Sequence, residues 1–329
     1  MTDYYLAWWN VENLFSVASD PTRSPKLQRK LRAELTGWDA SVLGKKLDQL
    51  ASVISQMNGS TGPDILGVCE VENQVVLSQL AARLTLAGRK YKVVHSDSKD
   101  SRGIDVAFIY DSNLFKIKPS EVFNHFILRR NATRDLVQVS FYTKPGNNRL
   151  VLVGNHWPSR LGGELESEPY RIIAAETLSY FHERIIEILT KDQAVIVMGD
   201  FNDEPFSRSL VQYALSEKIT KRVKSARSQN PYLLNLMWPL LGDGQGTHYY
   251  DGLPGMLDQL LVNRPLLRSG TSFSVKTNSV EIIRFPGMAY TSGANKNGPR
   301  RFGRPSSPGS FDPSGYSDHF PIGMTVTER

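Results

Sequence analysis

The sequence predicts an α+β fold of layered strands and helices, and three observations carry that prediction. Short apolar runs of strand length recur along the whole chain. Helix-length stretches with an apolar stripe separate some of these runs but not all of them. Between residues 106 and 153 the runs follow one another as in hairpins, without helical crossovers, which sets the chain apart from a strictly alternating doubly wound fold.

Nine runs read as strands: residues 4–9, 65–69, 91–94, 106–110, 136–142, 150–153, 194–198, 257–262 and 320–326. Several are almost continuously apolar, which predicts sheets covered on at least one face. A helix is expected over residues 41–57, where Val42, Leu43, Leu47, Leu50, Val53, Ile54 and Met57 share a stripe. A second is expected over 74–87, apolar at Val75, Val76, Leu80 and Leu84 and stopped by Gly88. Ser167 and Pro169 read as the N-cap and first turn of a long helix reaching residue 189, and a short helix is expected at 207–216. No linker divides the chain, so one domain over residues 1–329 is expected. Pro, Gly and Ser concentrate at 285–315, together with Lys296, Arg300, Arg301 and Arg304. That segment reads either as a floppy surface loop or as a basic flap beside an anionic substrate. A second basic cluster, Lys218, Lys221, Arg222, Lys224 and Arg227, reads as a solvated face.

The chain has 329 residues, 40% of them hydrophobic and 22% charged, which suffices for a large core and excludes wholesale disorder. A net charge of +6 suits a polyanionic partner, although many basic proteins bind none. Cys69 is the lone cysteine, so no intrachain disulfide can form. The first residues, MTDYYLAWWNVENLF, alternate like a strand and lack the basic and apolar segments of a secretory leader. No apolar run approaches the length of a membrane span. A reduced, cytoplasmic protein is therefore expected, with no obligate protein partner. The sequons Asn58-Gly59-Ser60 and Asn131-Ala132-Thr133 would then carry no glycan.

The chemistry gathers where strands end. In VIVMGDFND (residues 195–203), four apolar residues lead to Gly199, Asp200, Asn202 and Asp203. If the backbone stays extended, Asp200 and Asn202 face the same way. They could manage a water and a phosphoryl oxygen, or simply form a turn that caps the next helix. Four other strand ends repeat the pattern: Asn10 in WWNVEN, Glu70 in ILGVCE, Asn155 and His156 in VLVGNH, and Asp318-His319 ahead of the last strand. Five such coincidences are improbable. Asp, Asn, Glu and His are the groups that bind hard cations and move protons. No Cys/His set has zinc spacing, and oxygen donors dominate, which favours Mg²⁺ with Mn²⁺ as a substitute. The implied reaction is hydrolysis of a phosphate ester by metal-assisted attack of water.

These residues resemble the endonuclease/exonuclease/phosphatase superfamily, which has the deoxyribonuclease I fold. The ordered set WNVENLF, GVCEVEN, RGIDVAFIY, GNHWPSR, GDFND, LDQLLV and YSDHFP runs from residue 8 to 321 and carries the likeness. The resemblance implies a four-layered α/β sandwich, with two packed, mainly antiparallel β-sheets flanked by helices and an active site at one rim. It implies Glu70 as principal metal ligand, with Asn10 and Asp318 completing the shell and Glu12 a further contributor. Asp200 would activate water and Asn202 would hold that water or the phosphate. His319 would contact the scissile phosphate, oriented by Asp258, and His156 would bind a phosphate oxygen. Arg102, Arg134, Arg160 and Asn155 are candidates for substrate contact, although each arginine could equally serve an ion pair. Asp105 could orient His156 or pair with an arginine.

The superfamily includes nucleases and phosphatases, and its shared core does not choose among them. The basic charge favours a nuclease acting on nucleic acid, and on DNA in particular. The alternatives are an enzyme of lipid headgroups or small phosphorylated metabolites, and a non-catalytic nucleic-acid-binding module. Against a lipid surface, the sequence shows no amphipathic docking loop. Cys69, next to Glu70 on a strand, reads as packing rather than as a nucleophile.

Overall fold

The computed structural model describes residues 1–129, 133–228, 230–242 and 244–329, so the second sequon falls mostly outside the described residues. In chain order the strands are β1 (Thr2–Leu14), β2 (Ile65–Val71), β3 (Tyr91–His95), β4 (Asp105–Asp111), β5 (Phe115–His125), β6 (Leu136–Thr143), β7 (Arg149–His156) and β8 (Ala194–Asp200). Then follow β9 (Ser216–Glu217), β10 (Leu233–Asn235), β11 (His248–Tyr250), β12 (Leu253–Gly255), β13 (Asp258–Val262), β14 (Phe273–Val275), β15 (Glu281–Ile282) and β16 (Ile322–Glu328). The helices are α1 (Pro25–Leu31), α2 (Ala40–Ser60), α3 (Gln74–Arg83), α4 (Glu164–Ile188) and α5 (Thr220–Lys224).

Alternation along β1 shows how the layers are sorted. Tyr4, Leu6 and Trp8 point to one face, while Tyr5, Ala7 and Trp9 point to the other, and all six are buried. The first sheet runs β14-β16-β1-β2-β4-β3, with β15 also on β16; the second runs β5-β6-β7-β8-β13-β10-β9. Pairing is antiparallel except for β1 with β2, β7 with β8 and β9 with β10. Between the sheets lie Tyr4, Leu6, Trp8, Phe108, Phe141, Ile196, Met198 and Leu260. Helix α2 covers the outer face of the first sheet through Leu43, Leu47, Leu50 and Ile54. Helix α4 covers the second sheet through Ala174, Ala175, Leu178 and Ile185. The result is four layers, helix on sheet on sheet on helix, as the resemblance implied. Each fully buried apolar side chain of this kind contributes about 1.5–3 kcal/mol. Gly67 shows how close the sheets approach: a Cβ there would stand 2.6 Å from the Trp8 ring and 2.9 Å from Met198 Sδ.

Several expected boundaries move. Helix α3 ends at Arg83 rather than 87, and Val75 is 53% exposed, so the buried face runs through Val76, Leu77 and Leu80. Helix α4 begins at Glu164, capped by Gly163. Ser167 is not its cap. It lies one turn inside, where its hydroxyl donates to the Gly163 carbonyl at 2.6 Å. The expected helix at 207–216 is a single wide turn, Ser209–Tyr213. Strand β5 was not foreseen, because its polar residues, exposed on a sheet edge, break the apolar run.

The segment 285–315 is not a floppy loop. Phe302 is fully buried against Trp38. Arg300 pairs with Asp312, Arg301 with Glu12 and Asp318, and Arg304 with Glu34. Among the described residues, no helix is long and apolar enough to cross a membrane.

Candidate active site

Strand register brings the candidate residues together. His156 at the end of β7 lies beside Asp200 at the end of β8, and Asp258 at the start of β13 lies on the other side of Asp200. Alternation turns all three side chains toward the layer between the sheets, at its open end. From the opposite sheet, Asn10 on β1 reaches into the same space. Its amide donates to Asp200 Oδ2 at 3.1 Å. The same carboxylate oxygen lies 3.7 Å from His156 Nε2 and 3.9 Å from His319 Nε2. Asp200 Oδ2 is thus a point on which residues from three other segments converge. Gly199 allows the tight packing beneath it, since a Cβ there would stand 2.5 Å from the Asn155 carbonyl oxygen.

Bulges aim the remaining groups. The β1–β2 register slips between Asn10 and Leu14, and the β2–β4 register slips between Cys69 and Val71. Glu12, Asn13 and Glu70 there adopt left-handed backbone, with φ of 52°, 52° and 64°. A bulge re-aims side chains that regular alternation would send into the outer layer. Glu70 consequently turns to the cleft, its Oε1 3.7 Å from His156 Nε2 and its Oε2 accepting from the Asn13 amide at 2.9 Å. Asn202 is also left-handed, with φ 51°, so the extended geometry expected for Asp200 and Asn202 is not found. Its N–H donates to Asp200 Oδ1 at 2.9 Å, and its side-chain amide donates to the Trp157 carbonyl at 3.0 Å. The turn-forming reading and the cleft position therefore coexist. Asp203 turns away and pairs with Arg171 at 2.8 Å.

Charge is arranged unevenly. His319 Nδ1 and Asp258 Oδ2 are 2.6 Å apart. Asp258, with Asp200 and Asp318, holds the imidazole well above its usual range despite burial, so His319 is cationic at neutral pH. Burial raises Asp200 to about 7, with His319 pulling against it and Asp258 adding to it. His156 moves the other way: burial, then the charges of Arg134, Arg102 and His319, keep it neutral, and its Nδ1 has no partner among the described residues. Asp318 is held low by His319 and Arg301.

Other sequence candidates occupy different positions. Asn155 is not a substrate contact. It is fully buried, its amide donates to the Val153 and Met198 carbonyls, and its oxygen accepts from Trp157. Arg134 is also largely buried and donates to the Trp157 carbonyl at 2.6 Å, while Arg160 donates to the Asn202 carbonyl at 2.8 Å. Both brace the Asn202 turn from behind. Arg102 lies closer to the cleft, donating to Asn13 Oδ1 at 2.7 Å. Asp105 orients neither His156 nor an arginine; it lies 3.2 Å from His95 Nε2. Glu12 holds the 285–315 segment rather than the cleft, accepting from Arg301 Nε and from the Phe302 and Gly303 amides. Cys69 is fully buried, and burial pushes its thiol far up, which suits packing.

Three supporting residues escaped the sequence reading. The adjacent tryptophans use opposite faces of β1 to hold one pair: Trp8 Nε1 donates to Asp258 Oδ1, and Trp9 Nε1 donates to the His319 carbonyl. Their position directly before Asn10 was the available signal. Lys46 is fully buried, donates to the Tyr316 carbonyl at 2.6 Å and lies 3.8 Å from Glu12. Burial lowers its ammonium to about 8. Its signal was a lysine in step with Leu43 and Leu50 on the apolar stripe of α2.

The two-sheet sandwich, with a carboxylate–imidazole pair and oxygen donors at its rim, defines a class of phosphoester-hydrolysing enzymes. The profile of the endonuclease/exonuclease/phosphatase family matches residues 5–328, and the chain belongs to that family. Members of the family are metal-dependent phosphoesterases, and this chain is an enzyme of that kind. No curated protein of similar sequence was found. Among solved structures, the fold is similar to a Bacteroides thetaiotaomicron protein described as a mannosyl-6-phosphatase, with 18% identity, TM-score 0.56, and coverage of 98% of this chain and 99% of that one. It is similar to the human Nocturnin catalytic domain, with 17% identity, TM-score 0.55, and coverage of 99% and 94%. It is also similar to humanized D. rerio TDP2, with 13% identity, TM-score 0.58, and coverage of 99% of each chain. At these identities the likeness establishes the fold.

Proposed function

We propose that this phosphoesterase is a Mg²⁺-dependent nuclease that hydrolyses phosphodiester bonds in DNA, with Mn²⁺ as a substitute. The observation that carries the hydrolytic reading is the convergence of Asn10, His156 and His319 on Asp200 Oδ2, with Asp258 behind His319. The net charge of +6 and the nucleases in the family support nucleic acid as substrate. The donor set fits a hard cation. Glu70 and Asp318 would supply carboxylate oxygens and Asn10 an amide oxygen, while the Cys69 sulfur, within 4.8 Å of ligand atoms of His156 and Asp200, is held as a thiol by burial. Bound there, Mg²⁺ would neutralise negative charge on the phosphate.

The chain's own residues account for the rest. Asp200, poised near neutrality, takes a proton from the attacking water. Asn202 holds that water or a phosphoryl oxygen with the amide hydrogen that Trp157 does not use. Neutral His156 offers one N–H to a phosphate oxygen. Cationic His319 directs Nε2–H at the charge that develops as water adds opposite the leaving oxygen. The P–O3′ bond breaks, the leaving oxygen takes a proton from solvent, Asp200 returns its proton to solvent, and a 5′-phosphate remains.

The test is incubation of supercoiled plasmid with the protein in Mg²⁺, in EDTA, and with Asp200→Ala. Nicking that needs the cation and is lost in the variant is expected, and full activity of Asp200→Ala would refute the mechanism. A second reading, a phosphatase or phosphodiesterase of small phosphorylated metabolites or lipid headgroups, is favoured by the fold likeness to the mannosyl-6-phosphatase. An intact plasmid combined with hydrolysis of bis(p-nitrophenyl) phosphate would select it.

A further inference from the structure

The hairpin β11–β12 is joined directly to the catalytic segment. His248 and His319 are bridged as antiparallel neighbours, and their rings lie 4.7 Å apart. His319 faces the cleft, with Nε2 toward Asp200, so His248 faces it too. Tyr249 takes the opposite face, packed near Phe320 and Arg284. Alternation then returns Tyr250 to the cleft face, about 7 Å along the strand from His248. Leu253 pairs directly across from Tyr250, and Gly255 pairs across from His248. The stripe His248, Tyr250, Leu253 therefore starts against the catalytic imidazole and runs outward. Its outer end is bare: Tyr250 is 80% exposed and Leu253 72% exposed.

The arm is stiff. Asp251 and Gly252 both have positive φ, 50° and 76°, as in the tight two-residue turn that matches strand twist. Gly246 packs against Gly255 so closely that a Cβ there would stand 2.6 Å from the Gly255 backbone. A rigid hairpin that holds an aromatic ring and a leucine in water, on the same face as the reacting imidazole, has an obvious occupant: a flat group carried by the substrate next to its scissile phosphate.

We propose that Tyr250, backed by Leu253, is a stacking shelf for a planar ring adjoining the scissile phosphate, a nucleobase in the nuclease reading on which this inference rests. A ring face recognises every base alike, so the shelf would lower KM without imposing sequence. It makes no contact with the reacting atoms and would leave kcat unchanged.

The test measures kcat and KM on a short oligothymidylate and on the same chain with tetrahydrofuran spacers in place of the nucleosides. Tyr250→Ala should raise KM about ten-fold on the base-bearing chain, with kcat retained. Tyr250→Phe should match the wild type, and the two proteins should not differ on the spacer chain. Equal KM values on the base-bearing chain, or equal losses on both chains, would overturn the shelf. If wild type cleaves neither chain, the nuclease reading fails separately, and the variants are then compared on bis(p-nitrophenyl) phosphate. A raised KM for Tyr250→Ala there would assign the shelf to an aryl-bearing small ester, and an unchanged KM would overturn it.

Discussion

Replacing Asp258 by Asn removes one charge beneath the catalytic imidazole and, with the amide oxygen kept for Trp8, turns an amide N–H toward His319 Nδ1. The new amide oxygen can still accept from Trp8 Nε1, now 3.1 Å from Asp258 Oδ1, so the packing survives. What is lost is a carboxylate 2.6 Å from His319 Nδ1. At an effective dielectric of ~20, unit charges about 4 Å apart interact by about 4 kcal/mol. That equals about three pKa units at 1.36 kcal/mol each. Asp200 and Asp318 continue to favour the imidazolium, but His319 would titrate lower than in the wild type. With rising pH the variant should therefore lose activity earlier than the wild type, whose His319 is held charged by Asp258. The loss in kcat/KM should be larger at pH 8 than at pH 6. The assay is a pH profile of kcat/KM for both proteins on one phosphodiester, with far-ultraviolet circular dichroism to check the fold. Parallel profiles, offset by a constant factor, would refute the claim that Asp258 holds the charge of His319.

Glu70→Gln should raise the Mg²⁺ concentration for half-maximal activity by about ten-fold, read by cation titration; an unchanged midpoint would remove Glu70 from the cation site. His182 is fully buried, and burial lowers it to about 4. Its folded value lies below its unfolded one, so the unfolded chain binds more protons between pH 4 and 6.5. Its contribution to stability is present above pH 6.5 and lost as pH falls toward 4, to a total of about 3 kcal/mol. Urea titrations should show that His182→Asn flattens this slope, and an unaltered slope would count against it. Lys46→Met should destabilise the protein by about 1–3 kcal/mol, because the Tyr316 carbonyl loses its donor and Glu12 is left with Arg301 as its cationic partner. The pair Lys46→Met/Glu12→Gln should cost less than the sum of its parts, and additive values would deny the coupling.

The layered α+β class could be read from the apolar runs and helical stripes, which report burial directly, whereas the two-sheet sandwich was implied by the family resemblance. The strand-tip residues could be read because Asn10, Glu70, His156 and Asp200 each end an apolar run, and His319 precedes one, with a polar group that the run does not need. The sequence could not show which way those groups turn. Periodicity places Glu12, Asn13 and Glu70 by counting, but the bulges break the count, and nothing in a run such as GVCEVEN marks the residue that takes positive φ. Asn155 illustrates the converse error, since its neighbour His156 reaches the cleft while Asn155 itself is turned beneath it. Buried charge was equally hidden. Lys46 and Arg134 look like surface residues by type, and only the long-range approach of the Tyr316 and Trp157 carbonyls gives them partners.

The same lesson bears on where the positive charge is available to a substrate. Residues 285–315 look like the cationic arm of a nucleic-acid-binding protein, yet Arg300, Arg301 and Arg304 each pair with a carboxylate. A paired guanidinium has little field left to displace counterions from a phosphate backbone. Free charge lies elsewhere. Lys26, Lys30 and Lys99 line a groove beside Glu72 and Asn73, just beyond Glu70 on β2, and lack a carboxylate partner among the described residues. Each lysine that meets a phosphate should contribute about 0.9 to the slope of log affinity against log salt on duplex DNA, or about 0.7 on a single strand. Binding of labelled DNA to the Asp200→Ala protein should therefore lose about 2.7 units of slope on a duplex, or about 2.1 on a single strand, when all three lysines become Gln. It should keep nearly its full slope when Arg300 and Arg304 become Gln. The reverse result would mean that the arginine pairs open on binding and that the loop is a cationic arm after all.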